Sequence, residues 1–172
     1  GRTALVCGAV SWSYAELDTI VDRVAQGLRG IGVGAGDKVA ILARNSHAFI
    51  AMRFAIARAG AVLVPVNFML NADELAYILQ NSGSTLLVTS VDKLAVARQA
   101  LAQSPGVALC LVVGGGAAVE GTAGSARVTD YASAIASQPT TPISDEALGT
   151  SMLYSSGTTG RPKGILRPLP EA

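Results

Sequence analysis

Short apolar runs alternate along this chain with stretches whose apolar residues recur at helical spacing, and this rhythm fixes the fold class. Ser13-Tyr14-Ala15-Glu16 has the spacing of a capping box, and Leu17, Ile20, Val21, Val24 and Leu28 follow it at helical intervals. The helix they predict stops near Gly30, where GIGVGAGD offers several residues able to take positive φ, and Lys38–Ala43 then reads as a buried strand. A helix over Ser46–Ala59, a strand over Ala61–Val66 and a helix from an Asn71 cap, with Glu74 three residues on, continue the pattern. Thr85–Thr89 and Val107–Val113 read as further strands separated by a helix over Val91–Gln103. Consecutive βαβ units pair in parallel, so the expected fold is α/β, a mainly parallel sheet flanked by helices.

The ends of the chain add smaller pieces. Leu5–Cys7, the pair Gly8-Ala9 and Val10–Trp12 suit a tight hairpin. Gly114–Ala126, rich in Gly and Ala and without apolar periodicity, is expected to be a flexible surface loop before a short helix around Asp130–Ala136. Pro139 to Pro142 form a connector to a last apolar strand, Leu148–Tyr154.

Composition removes several functions. The 172 residues suffice for one domain, and 13 basic against 12 acidic residues, scattered along the chain, leave no footprint for nucleic acid or an anionic membrane. Charged residues are 15% of the chain and apolar ones 50%, so part of the apolar surface is expected to meet something else. No apolar run approaches the roughly 20 residues of a transmembrane helix, and the opening GRTALVCGAV has no secretory pattern. Cys7 and Cys110 lie far apart among small or apolar neighbours, which favours a reducing, cytoplasmic setting.

The stretch that carries chemistry is Tyr154–Gly164, YSSGTTGRPKG. Ser155, Ser156, Gly157, Thr158, Thr159 and Gly160 combine rotatable hydroxyl donors with glycines that let backbone N–H groups converge on phosphate oxygens. Lys163 adds a positive charge, and Pro162 before it restricts where the ammonium can go. The G-x-x-x-x-G-K-[ST] loop is not met. Counting from Gly157, the second glycine position holds Pro162, and Lys163 is followed by Gly164 rather than a hydroxyl residue. Ile165 and Leu166 begin a returning strand, so the expectation is a strand–loop–strand clamp for polyphosphate, with little help from a helix dipole.

Other candidates carry less. The glycines of Gly30–Gly36 follow a helix and precede a strand, the reverse of a dinucleotide fingerprint. His47, the one histidine, has no nearby Cys or second His for a metal site and is expected at an unremarkable surface position. Ser155 and Ser156 lack the G-x-S-x-G elbow of a nucleophile. Arg161 and Arg167 form a small basic cluster with Lys163, which alone has the motif behind it. Trp12, Phe49, Phe54, Phe68 and Tyr77 are expected in the core or at an interface rather than around a substrate.

YSSGTTGRPKG resembles the signature of the adenylate-forming superfamily, which includes acyl-CoA synthetases, peptide-synthetase adenylation domains and luciferases. The resemblance extends upstream through GVGAGDKVAILARNS at Gly32–Ser46, AGAVLVPVN at Ala59–Asn67 and ADELAYILQNSG at Ala72–Gly83. The form YSSGTTGRPKGI followed by RPLP is most similar to fatty-acyl-CoA ligases.

The resemblance implies two steps. A carboxylic acid, here a fatty acid, attacks the α-phosphate of Mg-ATP to give an acyl-adenylate, and coenzyme A then takes the acyl group. Ser155 to Lys163 would grip the β- and γ-phosphates, with Thr158, Thr159 and Lys163 the strongest side-chain candidates. The family's segments for adenine, ribose and Mg²⁺, and its mobile C-terminal domain with the adenylation lysine, normally follow this loop. Residues 1–172 are therefore expected to be the N-terminal part of an AMP-binding large domain, inactive as a ligase without the remainder of the enzyme, with homo-oligomer formation open. Two alternatives share the loop: an adenylation domain that loads an amino or aryl acid onto a carrier protein, and a non-catalytic nucleotide-binding module.

Overall fold

The computed structural model describes residues 1–156 and 160–169. The chain opens with a hairpin of β1 (Thr3–Cys7) and β2 (Val10–Ser13), closed by a two-residue turn in which Gly8 takes φ +59°. Helix α1 (Tyr14–Gly30) follows directly, and the expected capping box is present: the Ser13 hydroxyl accepts from Glu16 N–H while Glu16 accepts from Ser13 N–H. The same device starts α3 (Ala72–Ser82) at Asn71 and Glu74, and Gly83 ends that helix in the left-handed region. Between them lie β3 (Lys38–Leu42), α2 (His47–Arg58), capped by Ser46, and β4 (Val62–Pro65).

After β5 (Leu86–Ser90), the helix expected over Val91–Gln103 divides into a 3₁₀ turn at Val91–Lys93 and α4 (Leu94–Ala102). Strand β6 (Leu109–Val113) leads into the stretch expected to be a flexible loop, and here the structure differs. Gly116–Val119 forms a 3₁₀ turn, and β7 (Gly121–Ala123) pairs antiparallel with β8 (Ala126–Asp130). The reason is polar anchoring that small residues do not advertise: the Glu120 carboxylate accepts the Thr129 hydroxyl at 2.7 Å and Asp130 N–H at 2.9 Å. Asp130 then caps the short α5 (Tyr131–Ala136) through Ser133 N–H. The chain closes with β9 (Thr150–Ser155) and β10 (Lys163–Leu166).

Among the described residues, eight strands form one sheet in the order β10-β9-β4-β3-β5-β6-β8-β7, parallel from β9 to β8, with an antiparallel strand at each edge. Alternate strand residues face opposite cores. Val39, Ile41, Leu63, Val88 and Leu111 pack with α1, α2 and α5, whereas Ala40, Leu42, Val64, Leu87 and Val112 pack with α3 and α4. The crossovers β3–α2–β4 and β8–α5–β9 run one way along the sheet and lie on the first face. Those through α3 and α4 run the other way and lie on the second face, as a single crossover handedness demands. Burial on both faces is what makes the strands read as continuous apolar runs.

The low charged fraction has a visible counterpart. Tyr14 (63% exposed), Phe54 (49%) and Leu148 (69%) border an open apolar groove of about 540 Å³ between α1, α2 and the connector into β9. Of the two places expected for Phe54, core or interface, the core is not the one it takes: it sits on the outward side of α2, bordering this groove. Trp12 and Phe49 pack against the first core, Phe68 and Tyr77 against the second. His47 is half-buried rather than a bare surface residue, its ring edge-on to Trp12 with centroids 5.2 Å apart. Among the described residues no helix is long and apolar enough to cross a membrane.

Candidate functional site

All the parallel strands end on one edge of the sheet, the edge where open α/β sheets hold ligands. Strand β9 reaches it after pairing with β4 at only two positions, Thr150 with Val62 and Ser151 with Leu63, and from Met152 to Ser155 its paired neighbour is β10. The entry to β9 is held firmly. Gly149 N–H donates to Ala57 C=O at 2.7 Å, and a side chain at Gly149 would collide with Ala61 C=O. Arg58 bridges Asp18 at 2.8 Å and Glu146 at 3.1 Å, and Arg29 bridges Asp145 at 3.0 Å.

The expected strand–loop–strand arrangement is present. Lys163 lies directly across from Ser155 in the β9–β10 register, so the first hydroxyl of the loop and its lysine share one rung at the mouth of the hairpin. Both side chains are exposed, as is Ser156, and among the described residues no carboxylate pairs with Lys163. Gly160 takes φ +117°, a conformation that L side chains rarely adopt. Gly157, Thr158 and Thr159 lie outside the described residues. The described part of the clamp thus presents hydroxyls and an ammonium group at the C-terminal end of a parallel strand. That chemistry suits a multiply charged anion such as a polyphosphate.

Contacts that sequence reasoning missed hold the base of the loop. The Tyr77 hydroxyl donates to Pro162 C=O at 3.0 Å, and the Arg161 guanidinium lies over the Tyr77 ring, 5.2 Å from its centroid. One helical turn along α3, Asn81 Oδ1 accepts the Tyr154 hydroxyl at 2.7 Å. Burial raises the Tyr154 phenol above its ordinary pKa, so it is a neutral donor near neutral pH. The i, i+4 pair Tyr77/Asn81 on an otherwise polar helix face was the available signal, but periodicity assigns an aromatic residue to the core first.

Further along the same edge, the Arg44 guanidinium and the Lys93 ammonium lie 5.3 and 5.4 Å from the centroid of Phe68. Asp92 approaches Arg44 at 3.6 Å, and both side chains are largely exposed. Among the described residues no three His, Cys, Asp or Glu side chains come together to hold a metal ion.

The fold is that of an α/β protein whose mainly parallel sheet carries the β9–β10 hairpin at one edge. The family description for the AMP-binding enzyme matches residues 1–168, and the chain belongs to that family. It is 34% identical over 176 residues to a crotonobetaine/carnitine–CoA ligase of Escherichia coli O17:K52:H18 (strain UMN026 / ExPEC), covering 96% of this chain and 33% of that protein. Over 164 residues it is 35% identical to a feruloyl-CoA synthase of Amycolatopsis sp, covering 95% and 30%. The anthranilate CoA ligase AuaEII, solved with anthranoyl-AMP, superposes with a TM-score of 0.83 at 28% identity, over 96% of this chain and 31% of that one. The chain spans about a third of the length of the curated relatives it matches.

Proposed function

We propose that residues 1–172 form the N-terminal part of an AMP-binding large domain in an ATP-dependent acid–CoA ligase, and that Ser155 to Lys163 is its grip on the ATP phosphates. The observation that carries this reading is the rung Ser155–Lys163, which sets a hydroxyl and an ammonium group side by side at the open end of β9. Gly157, Thr158 and Thr159 complete the clamp in this proposal. A phosphate chain laid across that mouth meets donors on both strands, and Lys163 offsets its charge.

In the reaction so proposed, a carboxylate oxygen of the acid attacks the α-phosphorus and the bond to the bridging oxygen of the β-phosphate breaks. Pyrophosphate leaves with the electron pair, and the product is an acyl-adenylate. The sulfur of coenzyme A then attacks the acyl carbon, its proton is lost, and AMP departs. The part taken by this chain is positioning: holding the β- and γ-phosphates fixes the leaving group opposite the attacking oxygen and neutralises its growing charge. Mg²⁺, when bound, adds further charge neutralisation.

The matched relatives are named for crotonobetaine or carnitine, ferulate and anthranilate, yet share this stretch. We therefore assign the stretch to ATP handling, common to such reactions. The fatty acid suggested by the RPLP form is one further acid of the same chemical class. With a third of the relatives' length, the 172-residue chain alone is not expected to catalyse acid-driven exchange of pyrophosphate into ATP.

The test is that exchange reaction in the complete protein. Lys163→Ala removes a charge-assisted hydrogen bond of about 1.5–3 kcal/mol, so exchange at limiting ATP should fall by about ten- to a hundredfold. An unchanged rate would remove Lys163 from the proposed role.

A further inference from the structure

Tyr77 stands 85 residues before Pro162 in sequence, yet its hydroxyl donates to the Pro162 carbonyl at 3.0 Å. That carbonyl belongs to the residue immediately before Lys163. The same ring carries the Arg161 guanidinium on its face at 5.2 Å. Two consecutive loop residues are therefore gripped by one side chain, through its hydroxyl and through its π face. Asn81, one turn further along α3, accepts from Tyr154 at 2.7 Å and so holds the other stem of the hairpin.

Helix α3 is a rigid support for such a grip. It has a capping box at Asn71 and Glu74 and a left-handed glycine at its end, and Leu75, Ala76, Ile78 and Leu79 are buried against the sheet. Tyr77, on the same helix, is half-buried and packs against that core. The hairpin, in contrast, is an edge element, with the main-chain groups of β10 paired to β9 on one side. The β9–β10 register runs from Met152 opposite Leu166 to Ser155 opposite Lys163, and Arg161 and Pro162 stand beyond that last rung.

We propose that Tyr77 is a positioning residue for the phosphate loop, with Asn81 as its companion on the opposite stem. This rests on the reading of the loop as the ATP phosphate grip. Tyr77 acts through the loop and not by touching substrate. It fixes the carbonyl of Pro162, and thereby the direction in which Lys163 leaves the loop. A loop released from α3 would hold ATP less well while the site for the acid stays as it was.

The experiment uses the complete protein and pyrophosphate exchange, with KM measured separately for ATP and for the acid. Tyr77→Phe deletes the hydroxyl and keeps the ring. We expect KM for ATP to rise about three- to tenfold, the exchange expected for one neutral hydrogen bond, with KM for the acid and Tm unchanged. Tyr77→Leu, which also removes the face under Arg161, should raise KM for ATP further. Hydrogen exchange in the peptide covering residues 156–163 should accelerate in both variants, and this readout does not depend on turnover.

An unaltered KM for ATP and unaltered exchange in Tyr77→Phe would overturn the proposal. So would parallel changes in both KM values together with a fall in Tm, which would mark a general packing role. Lys163→Ala in the same assay separates the two readings. If it weakens ATP use and Tyr77→Phe does not, the phosphate grip stands and the positioning role falls. If neither variant has an effect, both fall.

Discussion

Tyr154 lies across Gly164 on the neighbouring strand, so close that a Cβ on the glycine would sit 2.9 Å from Tyr154 Cζ and 3.0 Å from its hydroxyl oxygen. Met152 Cε would collide with the same atom. Gly164 is thus required by what crosses it rather than by its own backbone angle. The methionine could swing aside, but the tyrosine is tied to Asn81 at 2.7 Å and has nowhere to go without losing that bond. Gly164→Ala should destabilise the hairpin by about 1–3 kcal/mol through overpacking. The check is thermal unfolding together with hydrogen exchange in Thr150–Leu166, and equal protection in variant and parent would count against the packing argument.

Arg58 makes a second prediction. Its guanidinium holds Asp22 at 2.5 Å, Asp18 at 2.8 Å and Glu146 at 3.1 Å, and Asp22 is only 4% exposed. Burial works against the charged guanidinium, but the hydrogen bonds to Asp18 and Asp22 outweigh it and raise the Arg58 pKa. Arg58→Met removes the cation and leaves Asp22 buried without its partner. Breaking one side of a buried pair costs about 3–5 kcal/mol, and partial exposure of Arg58 places the expectation near the lower figure. Urea unfolding measures it. The double change Arg58→Met with Asp22→Asn should recover much of the loss, because it is the orphaned charge that costs most.

How far the fold could be read in advance follows from which forces wrote it. The parallel core was legible because Val39–Leu42, Val62–Val64 and Leu86–Val88 are buried on both faces and so carry unbroken apolar runs. The caps at Ser13 and Asn71 were legible because the interaction spans three residues. The β7–β8 hairpin was not, since its anchors pair Glu120 with Thr129 and Asp130 across nine and ten residues, with no periodic pattern between. The same holds for the site. Lys163 and its hydroxyl neighbours are contiguous and stood out, whereas the grip of Tyr77 on Pro162 spans 85 residues and exists only once α3 is packed.

The Glu120 and Asp130 carboxylates give the protein an acid-sensitive corner. The bond from Asp130 N–H, and after it the Thr129 hydroxyl, holds Glu120 below the ordinary carboxylate value. Burial pushes Asp130 upward, but the N–H and hydroxyl of Ser133 and the N–H of Gly116 outweigh it, and its pKa is lowered too. Both groups bind protons less readily folded than unfolded. Their stabilisation is therefore complete above the unfolded values of roughly 4 and is lost as pH falls through the lower folded values. Amide exchange at Gly116, Asp130 and Ser133, after correction for intrinsic rates, should lose protection on acidification below about pH 4. Glu120→Gln keeps an acceptor oxygen but cannot titrate, so the acid-induced loss at Asp130 should flatten. An identical pH profile in the variant would rule Glu120 out as the titrating group.

The two cysteines should separate sharply in reactivity. Cys110 lies on β6 in the core that α3 and α4 cover, fully buried, and burial pushes its thiol up to about 12. The thiolate is the reactive form, so at pH 8 only about one Cys110 in ten thousand would carry it even if reagent could enter. Cys7 ends β1 at the exposed turn of the first hairpin and is half-exposed. Iodoacetamide should therefore label Cys7 in the native protein and leave Cys110 untouched until denaturant opens the sheet. Mass spectrometry of the labelled peptides across a urea series checks this, and the midpoint of Cys110 labelling should coincide with global unfolding. Modification of Cys110 at the rate of Cys7 in buffer alone would mean that the core shared by β6, α3 and α4 opens far more often than its packing allows. The support proposed for the phosphate loop would then be too soft to position it.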